Sequence, residues 1–190
     1  MEINKQKGNQ WAVSEVVLMG LFAALTVVGT SIRVPLPALM GNPFFHFGMP
    51  ILCLAVLTLG FIKGSLAGGI GFAIFDVLNG FAIEAPYFIL ESFVLGAVLT
   101  LGFYQLKKFK DKVWFIPTIM IFTAIAKIGM TFLKNLVMQL MMGASLGVAT
   151  TASISTLYIT VINATAAIII VTILYKPVTM LTNKMLRKEK

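Results

Sequence analysis

Residues 45–99 read FHFGMPILCLAVLTLGFIKGSLAGGIGFAIFDVLNGFAIEAPYFILESFVLGAVL, and in 55 positions only Lys63, Asp76, Glu84 and Glu91 carry a charge. A helix that crosses a bilayer core needs about 20 apolar residues, with roughly 17 tolerated. The apolar runs Met49–Ile62 and Gly64–Leu78 are separated only by Lys63, so they predict a tight hairpin of two short helices. Gly60, Gly64 and Gly68 recur every four residues, the small-xxx-small spacing that lets helix backbones approach closely. A third run, Pro86–Tyr104, completes the stretch.

Outward from this segment lie three more apolar runs, Val13–Ser31, Val113–Met141 and Ser153–Tyr175. The chain of 190 residues is 58% hydrophobic and 12% charged, against about a quarter charged in an ordinary soluble domain. Its mean hydropathy is +0.95. A soluble protein of this size cannot hide so much apolar surface. The expected fold is therefore an all-α integral membrane protein of six helices. Residues 1–190 read as one domain, ending in a basic cytoplasmic tail at 176–190. A secreted disulfide scaffold, a disordered tail and a conventional soluble enzyme are excluded. Lys5 and Lys7 precede the first run without a convincing cleavage site, so that run is read as an uncleaved helix.

Charge gives the orientation. Fifteen Lys and Arg against seven Asp and Glu make a net charge of +8. With the N-terminus in the cytoplasm, twelve of the fifteen fall on that side: Lys5, Lys7, Lys63, Lys107, Lys108, Lys110, Lys112, Lys176, Lys184, Arg187, Lys188 and Lys190. Only Arg33 falls outside, and Lys127 and Lys134 lie within the fifth helix. This is the positive-inside pattern, with Trp11, Tyr104, Trp114 and Tyr175 as an aromatic belt on the same side. The positive charge thus reports topology rather than nucleic acid. The segment Ile32–Gly48, non-helical because of Pro35, Pro37 and Pro43, becomes an outer loop, with Pro50 just beyond it.

Ionisable groups inside a membrane are costly and mark function by default. Tyr87 and Glu91 lie near the outer end of helix four; Lys134 and Asn135 lie in the outer third of helix five, with Lys127 two turns deeper. Asp76 and Asn79 end helix three, and Asn163 sits in helix six beneath Thr156 and Thr160. The inner halves hold almost none of these groups, so the pattern predicts a pocket open to the outside rather than a through-going pore. Structural readings stay open beside it: an ion pair between Glu91 and a lysine, a snorkelling Lys134, Asp76 and Asn79 as helix caps, Asn163 as interhelical glue, and His46 as a packed loop residue. Cys53 is the single cysteine and His46 the single histidine. No disulfide, histidine-rich metal site, P-loop or dinucleotide fingerprint is present, and no catalytic group or cofactor is read.

Taken together, His46-Phe47-Gly48, the run from Leu59 through Lys63 to Gly71, Asp76 and Ala85-Pro86 resemble the S component, the substrate-binding membrane subunit, of energy-coupling factor (ECF) vitamin transporters. The likeness is greatest to the riboflavin-type branch, which includes pyridoxine and hydroxymethylpyrimidine carriers. It implies an outward pocket for one water-soluble vitamin or precursor, pyridoxine- or hydroxymethylpyrimidine-like before riboflavin. It also implies a transmembrane coupling subunit, two cytoplasmic ATPases that supply the energy, and residence in a prokaryotic plasma membrane. With the residue pattern, it nominates Phe45, His46, Tyr87, Glu91, Lys127, Lys134, Asn135 and Asn163 for ligand binding. Gly20, Ala23 and Ala24 correspond to the family's small-residue coupling stripe. A small membrane enzyme, a passive facilitator or channel, and a structural membrane subunit are the alternatives.

Overall fold

The computed structural model describes residues 11–37 and 44–187; Lys5, Lys7, Pro43, Lys188 and Lys190 lie outside the described residues. Among the described residues, six α-helices follow one another: α1 (Val13–Ser31), α2 (Gly48–Leu59), α3 (Phe61–Leu78), α4 (Ala85–Leu106), α5 (Phe115–Met141) and α6 (Leu146–Arg187). Five of them are long and apolar enough to cross a membrane. The exception, α2, has 12 residues and so a length of roughly 18 Å. It is apolar on every face because it is enclosed by other helices. Leu52, Cys53, Leu54, Ala55 and Val56 are all buried, and α1, α3, α4 and α6 pack around them.

The α2–α3 junction is a single residue, Gly60, with φ of +84°. A side chain there would be strained, since L-residues rarely adopt positive φ. The chain then folds back so closely that a Cβ on Gly64 would stand 2.3 Å from the Val56 Cα. The four-residue glycine spacing thus serves packing within the chain. Lys63 pairs with Glu15, whose carboxylate also accepts the Ala12 N–H at 3.0 Å, tying the starts of α1 and α3 together.

Two elements depart from expectation. The outer segment is not wholly irregular: β1 (Arg33–Pro35) and β2 (Phe44–His46) form an antiparallel pair with Val34 opposite Phe45. Phe47 N–H donates to the Gly29 carbonyl at 2.9 Å, which holds the pair down on α1. At the other end of the chain, α6 runs through Pro177 to Arg187, so the segment from 176 to 187 continues the helix. Tyr175 and Val178 pack against the core cluster, and their burial sustains the helix past the proline. Phe22, Leu52, Phe72, Leu99, Ile119 and Val171, one from each helix, belong to that cluster.

Candidate functional site

A cavity of about 380 Å³ opens at the hairpin end of the bundle. Its walls follow from helical periodicity. On α5, Lys127, Thr131, Lys134, Asn135 and Met138 share one face, and on α6 Thr156, Ile159, Thr160 and Asn163 do the same. From α3, Phe75 and Asp76 contribute, followed by Glu84 in the short turn before α4, then Tyr87 and Phe88. Phe44 and His46 of β2 cover this space.

The strand's two-residue period sorts the aromatic loop. Phe44 and His46 face the cavity, whereas Phe45 points the other way and stacks edge-on against Phe47, 5.1 Å between centroids. Of the eight residues nominated from sequence, Phe45 and Glu91 do not line this cavity. Glu91 is 2% exposed and lies behind the wall, beside a second cavity of about 20 Å³ that it shares with His46 and Lys127. There its Oε1 accepts the Tyr87 hydroxyl at 2.7 Å and its Oε2 accepts Lys127 Nζ at 2.7 Å. The carboxylate therefore orients two residues that do reach the cavity. Its sequence position could not reveal this, because Tyr87 and Glu91 are one turn apart and share a helix face.

The remaining polar groups are also interlinked. Lys134 Nζ donates to Glu84 Oε2 at 2.6 Å and lies 5.6 Å from the centre of the Tyr87 ring and 5.2 Å from that of Phe88. Such placement over aromatic faces adds a cation–π attraction. Asn135 Nδ2 donates to Thr156 Oγ1 at 2.9 Å, joining α5 to α6. Asn163 holds the hairpin: its Oδ1 accepts the His46 N–H at 3.0 Å and its Nδ2 donates to the Phe44 carbonyl at 3.1 Å. His46 Nδ1 accepts the Gly48 N–H at 3.1 Å, which requires that nitrogen to be unprotonated. Burial, and then the charge of Lys127, hold the imidazole far below its ordinary value of 6.5, at about 3.

Thr131, Glu84 and Gln139 line the cavity without having been singled out in the sequence. Thr131 and Gln139 lie on the α5 face that Lys127 and Lys134 already define, so the periodicity could have found them. Glu84 had no such signal, because its role depends on the turn that brings it to Lys134. Among the described residues, no group of three His, Cys, Asp or Glu side chains could hold a metal ion.

Away from the cavity, the small-residue stripe of α1 divides. Gly20 and Ala24 are exposed. Ala23 is buried, and its carbonyl would lie 2.6 Å from a Cβ on Gly71 of α3. Residues 20 and 24 share a face by the four-residue repeat, and residue 23 turns toward the neighbouring helix.

The family model described as ECF-type riboflavin transporter, S component, matches residues 10–180. Searches of curated proteins and of solved structures returned no significant match.

Proposed function

We propose a function for this chain from the family to which it belongs, that of the ECF-type riboflavin transporter S components. Such a chain is a vitamin-binding subunit of a transporter rather than an enzyme, and this one is a multi-pass membrane protein. The cavity beneath the β1–β2 hairpin is the vitamin site, open to the outside, with both termini in the cytoplasm. The single observation that carries this reading is the pairing of an aromatic cover, Phe44 and His46, with a polar wall from α4, α5 and α6 around about 380 Å³. That volume lies in the range of roughly 300–1,000 Å³ typical of small-molecule sites.

The ligand is a planar heterocycle. Aromatic groups at Phe44, Tyr87 and Phe88 offer faces and edges to a ring, and Lys134, Asn135, Thr160 and Asn163 offer donors and acceptors around it. Pyridoxine- and hydroxymethylpyrimidine-like molecules match these residue types. The space and the family's description favour testing riboflavin first. Lys127 and Glu91 form the rear wall, and Phe45 supports the cover through Phe47. The energy for transport comes from a coupling membrane subunit and two cytoplasmic ATPases in a prokaryotic plasma membrane. The exposed Gly20–Ala24 face of α1 docks on that coupling subunit, because two small residues one turn apart leave a flat surface for a partner helix.

Equilibrium binding of the detergent-purified chain to riboflavin, pyridoxine, hydroxymethylpyrimidine and other B vitamins tests this reading. One-to-one binding of one of them without any partner is the expected result. Failure to bind any of them sinks it.

A further inference from the structure

We propose that Asp76 is the specificity-determining acceptor of the cavity, and that it selects a ligand that presents an N–H or O–H donor and carries no negative charge. The inference rests on the reading of the cavity as the vitamin site. Asp76 lines that cavity yet is only 4% exposed, and its Oδ2 is buried with no hydrogen-bond partner among the described residues. A buried acceptor left unmade is costly, so such groups in folded proteins call for an explanation.

No structural role accounts for the carboxylate. The end of α3 is closed by the main chain: the Asp76 carbonyl accepts Phe81 N–H at 2.8 Å and Asn79 N–H at 3.3 Å. The Asn79 side chain donates to the Phe75 carbonyl at 2.8 Å, not to Asp76. The carboxylate also sits in the last turn of α3, where the helix dipole disfavours negative charge and no basic residue compensates. Burial, the helix dipole and the nearby Glu84 weigh against a charged acid at this position in the ligand-free protein, and the charge of Lys134 offsets them only in part.

The charges around it lead to the same conclusion. Lys134 is paired with Glu84, and Lys127 with Glu91. Among the charged side chains of the cavity and its rear wall, Asp76 is thus the carboxylate left without a cation. A donor from the ligand completes it. A phosphate or carboxylate on the ligand meets a lining whose two lysines are already paired and in which Asp76 is a further acid; the Arg33 guanidinium, 5.3 Å from the Phe44 ring and 5.7 Å from the Phe75 ring, stands outside that lining.

The test uses the full chain in detergent, wild type and Asp76→Asn, with riboflavin and riboflavin 5′-phosphate as probes. Should the wild type bind pyridoxine instead, pyridoxine and its 5′-phosphate take their place. The wild type is expected to prefer the unphosphorylated vitamin by about tenfold or more. Asp76→Asn is expected to weaken that vitamin by about tenfold or more, the size of one hydrogen bond to a charged group, and to narrow the preference. The ligand-free variant is expected to melt at or above the wild-type temperature, since a buried acid with no hydrogen-bond partner at its Oδ2 has been removed. Equal wild-type affinity for the phosphate ester, or a lowered melting temperature with unchanged affinity, overturns the inference alone. A wild type that binds no vitamin at all overturns the transport reading and this inference with it.

Discussion

Lys127 Nζ and Glu91 Oε2 meet at 2.7 Å between α5 and α4, with Tyr87 donating to the other carboxylate oxygen. Two helices and a wall of the cavity are thus joined through one buried acid. Removing one partner of a buried pair leaves the other charge uncompensated, at a cost of about 3–5 kcal/mol. Glu91→Gln is therefore expected to lower thermal stability in detergent sharply, and to weaken vitamin binding by disturbing Tyr87 and Lys127. Adding Lys127→Met should recover much of the stability without restoring affinity. A Glu91→Gln protein that melts like the wild type would show that the pair contributes little.

Asn163 holds the cover of the cavity through two backbone contacts. Asn163→Ala leaves the His46 N–H without its acceptor, a loss of about 1–3 kcal/mol for a buried donor. Amide exchange at His46 should then accelerate by roughly tenfold to a hundredfold, measured by hydrogen–deuterium exchange, while α2 and α3 keep their protection. Unaltered exchange at residues 44–47 counts against this anchoring role.

His46 makes a signed prediction about pH. Its folded value of about 3 lies below its ordinary 6.5, so the unfolded chain takes up the proton first as pH falls. The stability contributed by the neutral imidazole is complete above about pH 6.5 and is lost progressively toward pH 3. Melting temperatures measured across that window should fall less steeply for His46→Gln than for the wild type. Binding measured above pH 7 should show no step from this residue. Parallel slopes for the two proteins would contradict the assignment.

Two glycines should separate folding from partner docking. A Cβ on Gly64 would lie 2.3 Å from Val56 Cα and 2.5 Å from its nitrogen, and backbone cannot move aside as a side-chain tip can. Gly64→Ala is expected to cost at least about 1–3 kcal/mol, the usual cost of overpacking. A Cβ on Gly20 would meet nothing within 4 Å among the described residues, so Gly20→Leu should leave melting and vitamin binding unchanged. With the coupling subunit and ATPases co-expressed, that same variant should reduce vitamin uptake. Wild-type uptake by Gly20→Leu would remove Gly20 from the proposed docking face.

Sequence alone determined the membrane class, the identity of the helices and much of one cavity wall. Hydropathy is a sum over neighbours in the chain, and a helix face repeats every 3.6 residues, so both are local properties. Lys127, Lys134 and Asn135 could be grouped before any packing was known, and Gly60, Gly64 and Gly68 announced a close helix pair. Only the tertiary structure decided which polar groups find one another. It gave Lys127 to Glu91 and Lys134 to Glu84, turned Phe45 away from the cavity, buried Ala23 against α3, and left Asp76 Oδ2 without a hydrogen-bond partner among the described residues. The physical reason is range: a hydrogen bond or ion pair is set within about 3 Å between atoms that stand 36 or 50 residues apart in the chain, and no local pattern encodes that meeting.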